Sequence, residues 1–232
     1  VEDIEAIALL QDPVRRRLYE FVAAQGREVG RNEAAEAAGV ARTLAAFHLD
    51  KLVDAGLLEA GSRRLTGRSG PGAGRPAKVY RRSAVERGVS VPPRDYGTAA
   101  GVLAEAAESA GLDMEVQDAA RRRGRALRAG WGGAAGGLAG VLAERGYEPV
   151  ADEGGAVLRM RNCPFHAVAE LFPPLVCGMN LALLEGLVEG SGVRVRMDPR
   201  PGWCCVAADV SAADVAAADP PAADPPSKNN ED

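Results

Sequence analysis

Apolar residues recur at helical spacing through Asn32–Leu58, NEAAEAAGVARTLAAFHLDKLVDAGLL, in two runs separated at Gly39. The pattern predicts two helices joined by a tight turn, with Gly39 supplying the left-handed backbone such a bend needs. Gly30 serves as a permissive N-cap, and Glu33, three residues on, stands where a capping-box carboxylate would. In the second run Ala45, Leu49 and Leu52 share one face, leaving Arg42, Thr43, Ala46, Phe47 and Asp50 on the other. Upstream, Ile4–Leu10 and Asp12–Ala24 read as an opening helical segment, with Asp12 as N-cap, Pro13 at the first helical position and Leu18, Phe21 and Val22 as its stripe. Arg15, Arg16 and Arg17 in its first turns suit a solvated face and a phosphate contact equally well. Downstream, Leu57–Ala60 and Lys78–Arg81 are predicted to be antiparallel strands, and the glycine- and proline-rich loop between them can continue neither. Helix, turn, helix and hairpin in this order predict a winged helix-turn-helix over residues 1–90.

From Val91 the pattern changes. Pro92 and Pro93 mark a linker, after which Thr98–Ala110 and Val116–Arg128 read as helices, the second bearing Arg121, Arg122, Arg123, Arg125 and Arg128 on what is expected to be a solvated face. Residues 91–137 are therefore expected to form a helical linker or dimerisation segment, ending in a glycine-rich loop over Trp131–Gly137. A helix over Leu138–Arg145, a strand over Val157–Met160, helices over Pro164–Leu171 and Leu175–Glu189 broken apart by Pro173 and Pro174, and paired strands over Val193–Met197 and Cys204–Val210 predict a small α+β domain at 138–210. Residues 211–232, with Asp-Pro-Pro repeats and little apolar content, are expected to be a disordered acidic tail. The chain as a whole is predicted to be α+β.

The net charge of −4 does not suggest a nucleic-acid binder until it is divided along the chain. Between Gly61 and Arg94 nine basic residues face Glu86 alone, and local charge is what a phosphate backbone feels. The expected partner is a double-stranded DNA operator, read by a homodimer whose two-fold axis matches two half-sites. Arg42, Thr43, Ala46 and Phe47 are candidates for base contacts, and His48, Lys51, Arg68, Arg75 and Lys78 for phosphates or a minor groove. No stretch resembles a signal peptide or is apolar enough to span a bilayer, so a soluble, cytoplasmic protein with no membrane partner is expected.

All four cysteines, Cys163, Cys177, Cys204 and Cys205, lie in the second half. In a reducing compartment they point to metal or redox chemistry. Cys163, before Pro164 at a predicted helix start, is expected to favour a thiolate. Side chains alternate along a strand, so Cys204 and Cys205 should not both face one site, and three sulfurs are expected to converge. The fourth position is open to His166 or Cys204. The spacing is not that of a zinc finger, which would need a closely spaced cysteine pair.

The stretches DPVRRRLYEFV, HLDKLVDAGLL and GRPAKVYRR, within Asp12–Arg82, resemble the winged-helix regulators of the ArsR superfamily, in particular the SufR branch. NCPFHAVAELFPPLVCGMNLALLEGLVEG and PRPGWCCV resemble the sensor domain of the SufR-type repressors. The resemblance implies a repressor of iron–sulfur assembly genes that carries an iron–sulfur cluster of the 4Fe-4S type. The ligands the resemblance implies are Cys163, Cys177 and Cys205, with the adjacent Cys204 leaving the third position open between the two; His166 or Cys204 stays the possible fourth on spacing. The alternative is a thiol-redox or zinc-sensing regulator, in which Cys204 and Cys205 or Cys163 is oxidised or holds the ion. An enzymatic or small-molecule-binding C-terminal domain, with Cys163 as nucleophile and His166 as base, is disfavoured: no orienting acid or oxyanion loop is evident, and a non-enzyme is expected.

Overall fold

The computed structural model describes residues 2–63, 76–128 and 137–210, and the chain divides into two compact units, Val1–Arg94 and Asp95–Asp232. The first contains α1 (Glu2–Ala8), a 3-10 turn at Leu9–Gln11, α2 (Pro13–Gln25), β1 (Val29–Gly30), α3 (Arg31–Ala37), α4 (Arg42–Asp54), β2 (Leu58–Arg63) and β3 (Ala77–Arg82). Local chemistry accounts for the boundaries. The Asp12 carboxylate accepts from the backbone N–H groups of Val14 and Arg15, both at 2.9 Å, while Pro13 opens α2. Gly39, at φ +65°, ends α3, and the Val40 N–H reaches back to the Ala35 carbonyl at 3.0 Å, so the turn into α4 closes in a Schellman arrangement.

Buried Leu18 and Val22 of α2, Ala34 and Ala35 of α3, Ala45, Leu49 and Leu52 of α4, and Leu58 and Tyr80 of the hairpin make one core. β3 lies centrally in a three-stranded antiparallel sheet, with β1 on one side and β2 on the other. The two-residue β1 has no counterpart in the hydrophobic pattern, because two residues are too few to show an alternation. The hairpin pairs Leu58 with Arg82 through Arg63 with Ala77. Its tip, with Arg68 and Arg75, lies outside the described residues, as do the segment 129–136 and the predicted tail.

The second unit comprises α5 (Tyr96–Ser109), α6 (Asp113–Arg128), α7 (Gly137–Ala143), β4 (Pro149–Ala151), β5 (Val157–Met160), α8 (His166–Ala169), α9 (Pro173–Val188), β6 (Arg194–Met197) and β7 (Val206–Asp209). Its four strands form an antiparallel sheet in the order β4-β5-β7-β6. Leu184 and Leu187 of α9, Leu138 and Leu142 of α7, and Leu158, Met160 and Val206 of the sheet share its core. Pro173 and Pro174 begin α9 rather than merely separating two helices, since a proline in the first turn gives up no helical hydrogen bond. The helix predicted over Pro164–Leu171 shrinks to the single turn of α8.

The closest packing in the unit is the crossing of α6 and α9. A methyl added at Gly124 would stand 2.0 Å from the Leu183 carbonyl oxygen, and one at Gly186 would stand 2.2 Å from that of Arg121. The two backbones touch where each has a glycine. Arg121 with Glu185 (2.7 Å) and Arg125 with Glu189 (2.5 Å) flank the contact, so part of the arginine row on α6 is tied to α9. Since the obstacles are backbone atoms, Gly124→Ala and Gly186→Ala are each expected to destabilise the second unit by about 3 kcal/mol or more. Scanning calorimetry should show the second unit's transition moving down by several degrees with the first unit's unmoved; an unmoved second transition would mean that the helices separate at no cost.

Candidate functional site

In the first unit the candidate surface is one face of α4. Ala45, His48, Leu49 and Leu52 are buried at helical spacing, which leaves Arg42, Thr43, Leu44, Phe47 and Lys51 exposed and Ala46 half-buried. Phe47 is 54% exposed, unusual for a phenylalanine with no partner helix over it, and the Lys51 ammonium sits 5.2 Å from its ring centre. Arg42, in the first turn, makes no ion pair among the described residues. It borders an open cleft that is also lined by Arg27, Arg31, Arg63 and Lys78. His48, expected at a phosphate, is only 8% exposed: it falls three residues after Ala45 on the core face, edge-on to Phe47.

Lys78 is not free to meet a phosphate either. Its ammonium lies 2.8 Å from Asp50 of α4, whose carboxylate also accepts from the Tyr80 hydroxyl at 2.7 Å and the Arg31 guanidinium at 3.1 Å. Arg31 in turn donates to the Tyr80 oxygen at 2.8 Å. Asp50 thus ties α4 to β3 and to the start of α3. Burial works against its charge, but the Lys78 and Tyr80 hydrogen bonds outweigh it and hold the carboxyl below its ordinary pKa. Burial and the anionic Asp50 push the Tyr80 phenol up to about 12.

Residues 9–60 match the helix-turn-helix domain family. The first unit is a winged helix-turn-helix, and the chain is a DNA-binding transcriptional regulator. Neither a curated protein nor a solved structure matches the chain, so the second unit stands on its own geometry. Among the described residues no helix is long and apolar enough to cross a membrane.

In the second unit the four thiols gather around the first half of α9. Cys177, on α9, donates to the Cys205 sulfur at 3.0 Å, and the Cys163 thiol, on the segment between β5 and α8, hydrogen-bonds to Cys204. Cys204 and Cys205 both reach the group because they precede the strand. β7 begins only at Val206, and the chain bends at Cys205, so the alternation expected of a strand does not apply. Backbone bonds on both sides hold that bend: the Cys204 N–H to the Met160 carbonyl (2.8 Å) and the Asp198 N–H to the Cys205 carbonyl (2.7 Å).

Cys204, not Cys163, is the sulfur prepared to carry charge. It accepts from the Cys163 thiol, from the N–H groups of Val206 and Cys205, and from the Asn180 amide at 3.3 Å; together these outweigh burial and lower its pKa. Donation to Cys204 and burial raise Cys163, the reverse of the thiolate expected from a helix start. Cys177 is raised by burial and by its bond to Cys205. Asn180, only 2% exposed, has its carbonyl oxygen occupied by the buried Tyr147 hydroxyl at 2.6 Å, which turns its N–H groups towards the sulfur. Neither residue was a candidate from the sequence. The signal was an asparagine inside the apolar run of α9. His166 faces away to Glu170 at 3.2 Å on exposed surface. Among the described residues no three Cys, His, Asp or Glu side chains close around a single point as one metal ion would need.

Because the Asp50 carboxyl is lowered, its contribution is present above the ordinary carboxylate pKa and fades as pH falls through the lower folded value. Asp50→Asn is therefore expected to cost about 1 kcal/mol at neutral pH, the clamp being partly in water. The deficit should shrink in urea titrations carried into the acid range; a pH-independent deficit would assign the loss to shape rather than charge.

Proposed function

We propose that the chain is a homodimeric repressor that reads a two-fold-symmetric operator with α4 and senses iron–sulfur cluster status through the cysteines of the second unit, controlling genes for cluster assembly. The observation that carries the sensing half is the gathering of four thiols, one of them ringed by N–H donors. A cluster is held by thiolates on different irons and tuned by hydrogen bonds to sulfur. The all-sulfur donor set fits that chemistry. Cys163, Cys177 and Cys205 are the proposed ligands, and Cys204, in contact with Cys163, suits the fourth position better than the outward-facing His166. When bound, the cluster supplies an oxygen-sensitive link between these segments. The protein's part is to present the sulfurs together, with Asn180, oriented by Tyr147, donating to Cys204.

Support for the dimer comes from α5, none of whose residues is buried while Val102 and Leu103 are 60% and 71% exposed. Such a face suits a second copy. For the DNA half, Arg42, Thr43, Ala46 and Phe47 are the proposed base-reading residues and Lys51 a phosphate contact.

Protein purified without air is expected to be brown and to contain iron and acid-labile sulfide. Cys163→Ser and Cys177→Ser should bleach it; a colourless wild-type protein after anaerobic reconstitution would exclude the cluster while leaving the DNA-binding unit untouched. Operator affinity measured on the two forms should be higher with the cluster, and equal affinity would show that the two functions are uncoupled. In the same assay Arg42→Ala is expected to weaken operator binding by about tenfold to a hundredfold with little change on unrelated DNA; an equal loss on both would make Arg42 a phosphate contact instead.

A further inference from the structure

The cysteines divide by contact into two pairs, Cys177 with Cys205 and Cys163 with Cys204. In the first the sulfurs are 3.0 Å apart, about 1 Å beyond a bonded disulfide. The partners belong to different elements: Cys177 to α9 and Cys205 to the bend before β7. The exposures also differ. Cys205 is half-buried, whereas Cys177 is buried behind it. Cys204 is buried and committed to Cys163 and Asn180, which leaves Cys205 as the neighbour available to Cys177.

We propose that Cys177 and Cys205 form a reversible disulfide when the metal-free protein meets a peroxide, so that the second unit has an oxidised state distinct from loss of a cluster. The pairing follows from the sulfur contact and does not depend on the iron–sulfur reading. Cys205, the more accessible sulfur, reacts first. Its thiolate attacks one peroxide oxygen, the S–O bond forms and the O–O bond breaks, and the departing hydroxide takes up the proton the thiol gave off, leaving a sulfenic acid and one water. The Cys177 thiolate then attacks the Cys205 sulfur. The S–S bond forms, the S–O bond breaks, and the second hydroxide leaves as water with the Cys177 proton. Two thiols are oxidised and one peroxide is reduced to two waters. The product fastens α9 to the bend before β7. A thiol reductant reverses it by exchange at the same bond.

The test uses the full chain, purified reduced, stripped with a chelator and treated with hydrogen peroxide, its remaining thiols then being alkylated and its peptides mapped by mass spectrometry. The expected result is a loss of two free thiols, with the Cys177 peptide linked to the peptide that carries Cys204 and Cys205. Cys204→Ser should keep the link and Cys205→Ser should lose it. Cys177→Ser should instead accumulate a sulfenic acid at Cys205 that dimedone traps. A link that survives in Cys205→Ser, a Cys204–Cys205 or Cys163–Cys204 bond in the wild type, or four alkylated thiols in protein whose circular dichroism is native would each overturn the pairing. Cys163→Ser separates the two ideas, because it should abolish any iron–sulfur absorption and still form the disulfide. Loss of the disulfide in that variant, with native circular dichroism, would overturn the independence of the pair.

Discussion

A buried group that carries charge must be met by donors, because the interior offers no water to replace them. The second unit meets this requirement at Cys204. Its sulfur receives two backbone N–H groups, the Asn180 amide and the Cys163 thiol, and each donor comes with a structural condition. The backbone donors require the chain to bend at Cys205 before β7 starts. The amide must be aimed, and Tyr147 does this by occupying the other end of it. Cys163 must give up the thiolate role that a helix start would have offered. The arrangement makes the sulfurs unequal: its donors lower the pKa of Cys204, hydrogen bonding to a neighbouring sulfur and burial raise those of Cys163 and Cys177, and Cys205 is half-buried.

The first unit answers the same requirement with a carboxylate. Asp50 on α4 is met by Lys78, Tyr80 and Arg31, and the result is mechanical as much as electrostatic, since three donors from two other elements fix the rotation of α4 about its axis. That rotation decides which side chains face outward. It leaves Arg42, Thr43, Phe47 and Lys51 on the open side and turns His48 into the core. Two of the cations beside the cleft, Arg31 and Lys78, are consumed in holding the helix.

How legible each part was in the sequence follows the range of the interaction that determines it. Gly39, the Asp12 cap with Pro13, and the stripe of Ala45, Leu49 and Leu52 are local, and they specify the helix-turn-helix within a few residues of themselves. His48 shows where that reasoning fails: residue type suggests a phosphate or minor-groove contact, whereas three-residue spacing from Ala45 puts it on the core face. The cysteine group was visible as composition but not as geometry. Whether Cys204 and Cys205 point to one side depends on where β7 begins, and that is set by pairing with the distant β5 as well as with the neighbouring β6. The contact of Asn180 with Cys204 spans 24 residues and that of Tyr80 with Asp50 spans 30, beyond the reach of periodicity.

The paired glycines at the crossing of α6 and α9 have a mechanical meaning for the cysteines. Helices separated by layers of side chains can slide by rotamer changes, whereas helices whose backbones touch have no such slack. Cys177 lies on one of these helices, and on the other Arg121 and Arg125 are held across the joint by Glu185 and Glu189. A bond made at the Cys177 sulfur therefore pulls on a two-helix lever rather than on a single helix. A shift imposed at that thiol would be shared between α9 and α6.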